Sequence, residues 1–217
     1  MNANHDPQPP APGADASHVS QALRVLFLGA CPGNAGRIRL DLELREIERR
    51  IDYAQMRSRV ALNQAWAVTT PELIQILLRH RPNIVHFSGH GSSDGSIILE
   101  NAQGEGYAVP KEALTEFFAL FRNRGLRAVV LNSCFSENQA TAIAQHIEFV
   151  VGISGAIKDD SSRAFSAGFY AGLAAGETVE MALSLGRTQI ALLGQPQTTA
   201  PKLIWRADAD PAAARFL

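Results

Sequence analysis

The sequence has few of the features that mark secreted, membrane or nucleic-acid-binding proteins. Its two cysteines, Cys31 and Cys134, are too few for the even disulfide sets of small secreted chains, and they point to a reducing, cytoplasmic compartment. No apolar run approaches the roughly 18 residues that a membrane span needs. A basic excess is missing too. Twenty Lys and Arg stand against 21 Asp and Glu, for a net charge of −1, without the positive footprint of a nucleic-acid binder. There is no internal repeat and no G-x-x-x-x-G-K-[ST] phosphate loop, which counts against a nucleotide-binding doubly wound protein. Residues 1–21, MNANHDPQPPAPGADASHVSQ, have neither the basic nor the apolar region of a signal peptide. Their Pro, Ala, Asn and Asp predict a disordered leader, followed by one domain over 22–217.

Within that domain the sequence alternates between two patterns. LRVLFLGA (Leu23–Ala30), VALNQAWAV (Val60–Val68), NIVHFSG, RAVVLNS and EFVVGIS are short and nearly all apolar, as strands buried on both faces are. Between them lie helical stretches. Leu40, Leu44, Ile47, Ile51 and Ala54 recur at helical spacing with charges elsewhere, predicting an amphipathic helix whose charges face solvent. Thr70-Pro71-Glu72 predicts a second helix, with Thr70 as its cap. SIILENAQGEGYAV reads as a hairpin, and PKEALTEFFALFRN and SENQATAIAQHI as helices. Two more helices are split at Gly176, and PKLIW reads as a last strand. The alternation predicts an α/β fold with a mostly parallel central sheet between helical layers.

Ligands of such sheets sit beyond the carboxyl ends of the strands, and the reactive side chains gather there. HFSGHG ends one strand with His90, and VVLNSC ends another with Cys134. If those strands are neighbours, a thiol and a base meet at one rim. A nucleophilic cysteine needs such a base or a positive field. The helix expected two residues past Cys134, with Ser136 and Gln139 at capping-box spacing, adds its dipole. Glycines at 89 and 91 permit close backbone approach. The plainer reading of Cys134 is a small buried hydrophobe, and His86, inside its strand, reads as a packed, hydrogen-bonded residue. His86 and His90 have H-x3-H spacing, but on a strand and with no carboxylate cluster following, so no metal or other cofactor is expected.

Cys134 lies 44 residues after His90, close to the roughly 50 of caspase-type peptidases. The caspase signature Q-A-C-[RQG]-G is absent, and NSCFS stands in its place. Taken together, RHRPNIVHFSGHG, VVLNSCFSENQATAIAQHIEFVVGIS and AIKDDSSRAFSAGFYAGLAAGETVEMAL resemble the CHAT domain family, caspase-like cysteine peptidases of the caspase, separase and gingipain clan. The resemblance implies a caspase-like three-layer sandwich and an endopeptidase acting on protein substrates. It implies His90 as general base, Cys134 as nucleophile, and the N–H groups of Gly91 and Cys134 as the oxyanion hole. It places Asp159 and Asp160 by the substrate pocket. Asp159 is the expected pocket acid, selecting Arg over Lys before the cut, and Asp160 the expected helix cap. By analogy, stand-alone members act as regulated effectors in bacterial defence or cell death, switched on by an upstream protease or partner. The polar stretches Gln103–Gly106 and Lys158–Ser162 are expected to be exposed loops open to cutting. The alternative function is an inactive peptide-binding scaffold of the same fold.

Overall fold

The apolar run Leu23–Ala30 forms strand β1 in the computed structural model, which describes residues 22–195 and 199–217. The leader expected over 1–21 lies outside the described residues. The chain continues as α1 (Leu40–Tyr53), β2 (Val60–Trp66), α2 (Thr70–His80), β3 (Ile84–Gly89), β4 (Ile97–Glu100), β5 (Gly106–Val109) and α3 (Lys111–Phe121). It closes with β6 (Ala128–Asn132), α4 (Glu137–Ile143), β7 (Phe149–Gly152), α5 (Asp159–Ala174), α6 (Val179–Leu192) and β8 (Lys202–Trp205). Six strands make the central sheet in the order β2-β1-β3-β6-β7-β8. All its pairings are parallel except the last, where β8 runs against β7. β4 and β5 form the expected hairpin.

Alternation along each strand sorts the core into two halves. Phe27, Ile84, Val130 and Val151 pack with α1, α5 and α6. Leu26, Val85, Leu131 and Val150 pack with α2, α3 and α4 on the opposite face. The result is helix, sheet and helix in three layers, as the strand pattern predicts.

Three local expectations are corrected. The second helix is capped by Thr69, one residue earlier than expected, because Glu72 reaches back to Thr69 N–H at 3.3 Å and to its hydroxyl at 2.7 Å. The capping box at Ser136 does not form. Both its side chains are buried and taken by tertiary partners: Ser136 Oγ lies 2.8 Å from Ser133 O and accepts from Ile153 N–H at 3.1 Å, while Gln139 accepts from Ile97 N–H at 3.3 Å and donates to Val109 O at 3.2 Å. The helix that follows is only seven residues long. Finally, Lys158–Ser162 is not an exposed loop. Lys158 takes the cap position expected for Asp160, Asp159 and Asp160 fill the first turn of α5 where the helix dipole favours acids, and Ser161 and Ser162 are buried.

Candidate active site

β3 and β6 are neighbours, and their register pairs Ser88 with Asn132. His90 lies two residues past Ser88 and Cys134 two past Asn132, so equal steps beyond one rung carry both to the same rim. They line one cleft of about 80 Å³, together with Gly91, Ile38, Ile157 and Asp159. His90 Nε2 lies 2.6 Å from the Gly36 carbonyl in the loop after β1. A carbonyl only accepts, so Nε2 carries the proton and Nδ1 is left to receive another. Cys134 Sγ accepts from Ile157 N–H at 3.4 Å, a backbone donor for the sulfur when it carries charge. Both cysteines are free thiols.

The backbone around the thiol is drawn tight. Phe135, immediately after it, holds φ of +59°, a left-handed conformation unfavourable for a bulky residue and found where surroundings enforce it. Gly91 faces Cys134 so closely that a Cβ there would lie 2.0 Å from the Cys134 carbonyl oxygen. Gly91 is also bridged to Ile97, with the ladder bonds on either side: Ile98 N–H to His90 O at 3.0 Å and Ser92 N–H to Ser96 O at 2.9 Å. The Gly91 N–H is thereby left out of the ladder.

The two acids separate. Asp159 lines the cleft, whereas Asp160 lines a wider groove on the outer side with Glu46, Arg50 and Arg163. Arg163, one turn along α5, holds both: Nη1 lies 2.5 Å from Asp159 Oδ2, and Nη2 pairs with Asp160. The cleft acid thus already has a cationic partner from its own helix.

A further group was not singled out by the residue pattern. Glu43, expected among the solvated charges of α1, is 2% exposed and lines the same cleft. Its Oε1 accepts from His86 Nε2 at 3.0 Å, Asn132 Nδ2 at 2.5 Å and Ser166 Oγ at 2.6 Å, and its Oε2 accepts from Ser88 Oγ. Burial would raise the carboxyl. Hydrogen bonds, first that of His86 and then those of the Ser166 and Ser88 hydroxyls, hold Glu43 below the ordinary carboxylate range. His86, packed as expected, stacks on Phe27 and meets Tyr170. A signal was present in the sequence: position 43 falls inside the stripe of Leu40, Leu44 and Ile47, and His86, Ser88 and Asn132 are polar residues in strands that read as buried.

The CHAT domain family model matches residues 39–214. A protein of Gillisia limnaea named "Probable protease" is 24% identical over 150 residues, covering 67% of this chain and 26% of its own length. A "Roc-COR-CHAT protease" of an unknown prokaryotic organism is 21% identical over 164 residues, covering 70% of this chain and 15% of its own length. The chain therefore spans about a quarter or less of these curated relatives. Among solved structures, a secreted C11 cysteine protease from Bacteroides thetaiotaomicron, in complex with an irreversible peptide inhibitor, superposes with a TM-score of 0.58 at 8% identity, over 85% of this chain and 66% of its own. Caspase-1 from Spodoptera frugiperda superposes at 0.57 and 10% identity, over 96% of both chains. At these identities the two structures establish the caspase-like fold. No helix among the described residues is long and apolar enough to cross a membrane.

Proposed function

The chain belongs to the CHAT domain family, and from that premise we propose that it is a cysteine endopeptidase with His90 and Cys134 as its catalytic dyad. The observation that carries this reading is the Ser88–Asn132 register, which delivers a histidine and a thiol to one cleft. His90 Nδ1 takes the Cys134 proton, and the sulfur attacks the scissile carbonyl carbon. The N–H groups of Gly91 and Cys134 receive the oxyanion. The imidazolium then protonates the departing amine, leaving a thioester that water hydrolyses with His90 again as base.

Asp159 is the proposed specificity acid, with cleavage after Arg in preference to Lys, because a carboxylate and a guanidinium form a directional, charge-assisted pair that an ammonium matches less well. A substrate arginine must then share or displace Arg163. Asp160, facing the outer groove, serves the helix terminus instead. The wider proposal is a regulated effector in bacterial defence or cell death, controlled by a protease or partner protein. Gln103–Gly106 offers the handle. Gly104 O accepts from Gly33 N–H at 3.0 Å and Gly106 N–H donates to Asn34 at 2.9 Å, so this hairpin tip braces the loop whose Gly36 carbonyl orients His90.

Two measurements test the function. Iodoacetamide near neutral pH should label Cys134 rapidly and Cys31 slowly. A peptide library should be cut by the wild-type chain and untouched by Cys134→Ala. Equal labelling of the two thiols with no cleavage would instead identify a peptide-binding scaffold.

A further inference from the structure

The Glu43 carboxylate has four donors and no fixed positive charge among them. The protons can be counted. Burial, and next the charge of Glu43, raise the Tyr170 phenol well above its ordinary value, so it keeps its proton. Tyr170 OH lies 3.2 Å from His86 Nδ1, its one hydrogen-bond partner among the described residues, and a phenol that keeps its proton donates it there. His86 therefore accepts at Nδ1, carries its proton on Nε2 toward Glu43, and is neutral. The opposite assignment, a doubly protonated His86, would leave the phenol proton with no acceptor among the described residues. One negative charge is thus left inside the protein, two residues below His90 on β3 and two below Cys134 on β6.

Shape alone does not require that charge. A glutamine at 43 could keep its Oε1 on His86, Asn132 and Ser166 and turn its amide toward Ser88 Oγ, the one partner on Oε2 and a hydroxyl free to accept. Desolvating an ion costs more than desolvating an amide that keeps the same partners, so the carboxylate calls for a use the amide cannot serve. Turnover supplies one, since His90 becomes an imidazolium at the same rim.

Resting on the dyad reading above, we propose that Glu43 is a positioning residue whose buried charge aligns the ends of β3 and β6 and supplies the counter-charge for the His90 imidazolium. The titratable groups around His90 are Cys134 on the β6 rim, Asp159 at the start of α5 and Glu43 on α1. Asp159 is paired with Arg163 and acts on Arg39 as well, which leaves Glu43 the acid without a cationic partner. The groups facing Glu43 itself are His86 on β3 and Tyr170 on α5, joined by the neutral Ser88, Asn132 and Ser166.

The test compares the full wild-type chain with Glu43→Gln. The readouts are kcat and KM on a cleaved peptide as a function of pH, the pH dependence of Cys134 alkylation by iodoacetamide, and the thermal melt. E43Q should fold. Its kcat should fall at least about tenfold with KM within about twofold, since Glu43 holds the machinery rather than the substrate. The acidic limb of kcat/KM should move to lower pH by ~0.5–1, because removing a nearby negative charge makes the imidazolium less favourable. Alkylation of Cys134 should shift with it. A folded E43Q chain with lower kcat but an unmoved limb would reduce Glu43 to a structural strut and overturn the proposal. An unchanged kcat would overturn it too. So would an E43Q chain that fails to fold, since the charge would then serve the fold. If the wild-type chain cuts nothing and labels Cys31 and Cys134 alike, the dyad reading falls first and this inference with it. An active wild type with an unmoved limb in E43Q defeats this inference alone.

Discussion

Gly91→Ala should damage catalysis far more than its single added methyl suggests. The new Cβ would lie 2.0 Å from the Cys134 carbonyl oxygen, 3.0 Å from its carbon and 3.2 Å from its nitrogen, whereas ordinary contact begins at 3.4 Å. Every close atom is backbone, so no side chain can swing away. Neither segment is free to yield. Gly91 is bracketed by the His90–Ile98 and Ser92–Ser96 hydrogen bonds, and the Cys134 turn is tied by Phe135 N–H to Gly155 O at 3.1 Å. The two must part by about 1 Å or more. Overpacking of this kind costs about 1–3 kcal/mol, or a Tm lower by roughly 2–12 °C for a chain of this size. A shift of about 1 Å between nucleophile and oxyanion donors costs roughly 100-fold in rate. The assay is kcat/KM on a cleaved peptide with a thermal melt for each variant. Gly33→Ala is the matched control, because its Cβ would meet nothing nearer than Gly104 O at 3.7 Å; it should stay within about 0.5 kcal/mol of wild type. Wild-type Tm and turnover in G91A would refute the close approach itself. A lowered Tm with intact turnover would remove the Gly91 segment from the oxyanion site.

Cys134→Ala and His90→Ala should each abolish cleavage, because the pair acts as a unit, while melting within roughly 1 kcal/mol of wild type; residual turnover of more than a few per cent in either would refute the dyad. Asp159→Ala should lower turnover on peptides with Arg before the cut at least about tenfold, the loss of a charge-assisted pair worth ~1.5–3 kcal/mol, and spare those with a neutral residue there; a wild-type preference for Asp or a large apolar residue would sink the assignment. Arg163→Gln frees Asp159 from its partner on α5 and should raise kcat/KM on the Arg peptides by about two- to fivefold, the scale of a partly exposed ion pair; a decrease would show that Arg163 supports the pocket. The folded-state carboxyl of Glu43 is held below its ordinary value, so its ionisation adds stability that is present above the unfolded value of about 4.3 and is lost as pH falls through the lower folded one. Melts of wild type and Glu43→Gln should therefore differ most near neutral pH and converge below about pH 4; a gap that widens in acid would reverse the sign.

The layers of this fold were legible in the sequence because each strand buried on both faces writes its own apolar run. The rim positions of His90 and Cys134 were legible for a different reason: reactive residue types stood at the ends of two such runs. The register joining those ends was not. Nothing in NIVHFSG or RAVVLNS says that Ser88 pairs with Asn132, and a slip of one residue would turn Cys134 to the opposite face. Glu43 was hidden by a sound rule, that charges on an amphipathic helix face water. The rule fails here because the sheet below offers three donors, His86, Ser88 and Asn132, and α5 a fourth, Ser166, and the one place it could have been doubted was the position of 43 inside its helix's own apolar stripe. The acids of KDD show the other limit. Asp159 and Arg163 stand four residues apart on α5, and that spacing alone predicts their contact. Whether the guanidinium belongs to the helix or holds the place of a substrate side chain depends on which of the two acids faces the cleft. Asp159 does and Asp160 does not, so under the proposed specificity the arginine that braces the helix terminus at Asp160 would compete with a substrate side chain at Asp159.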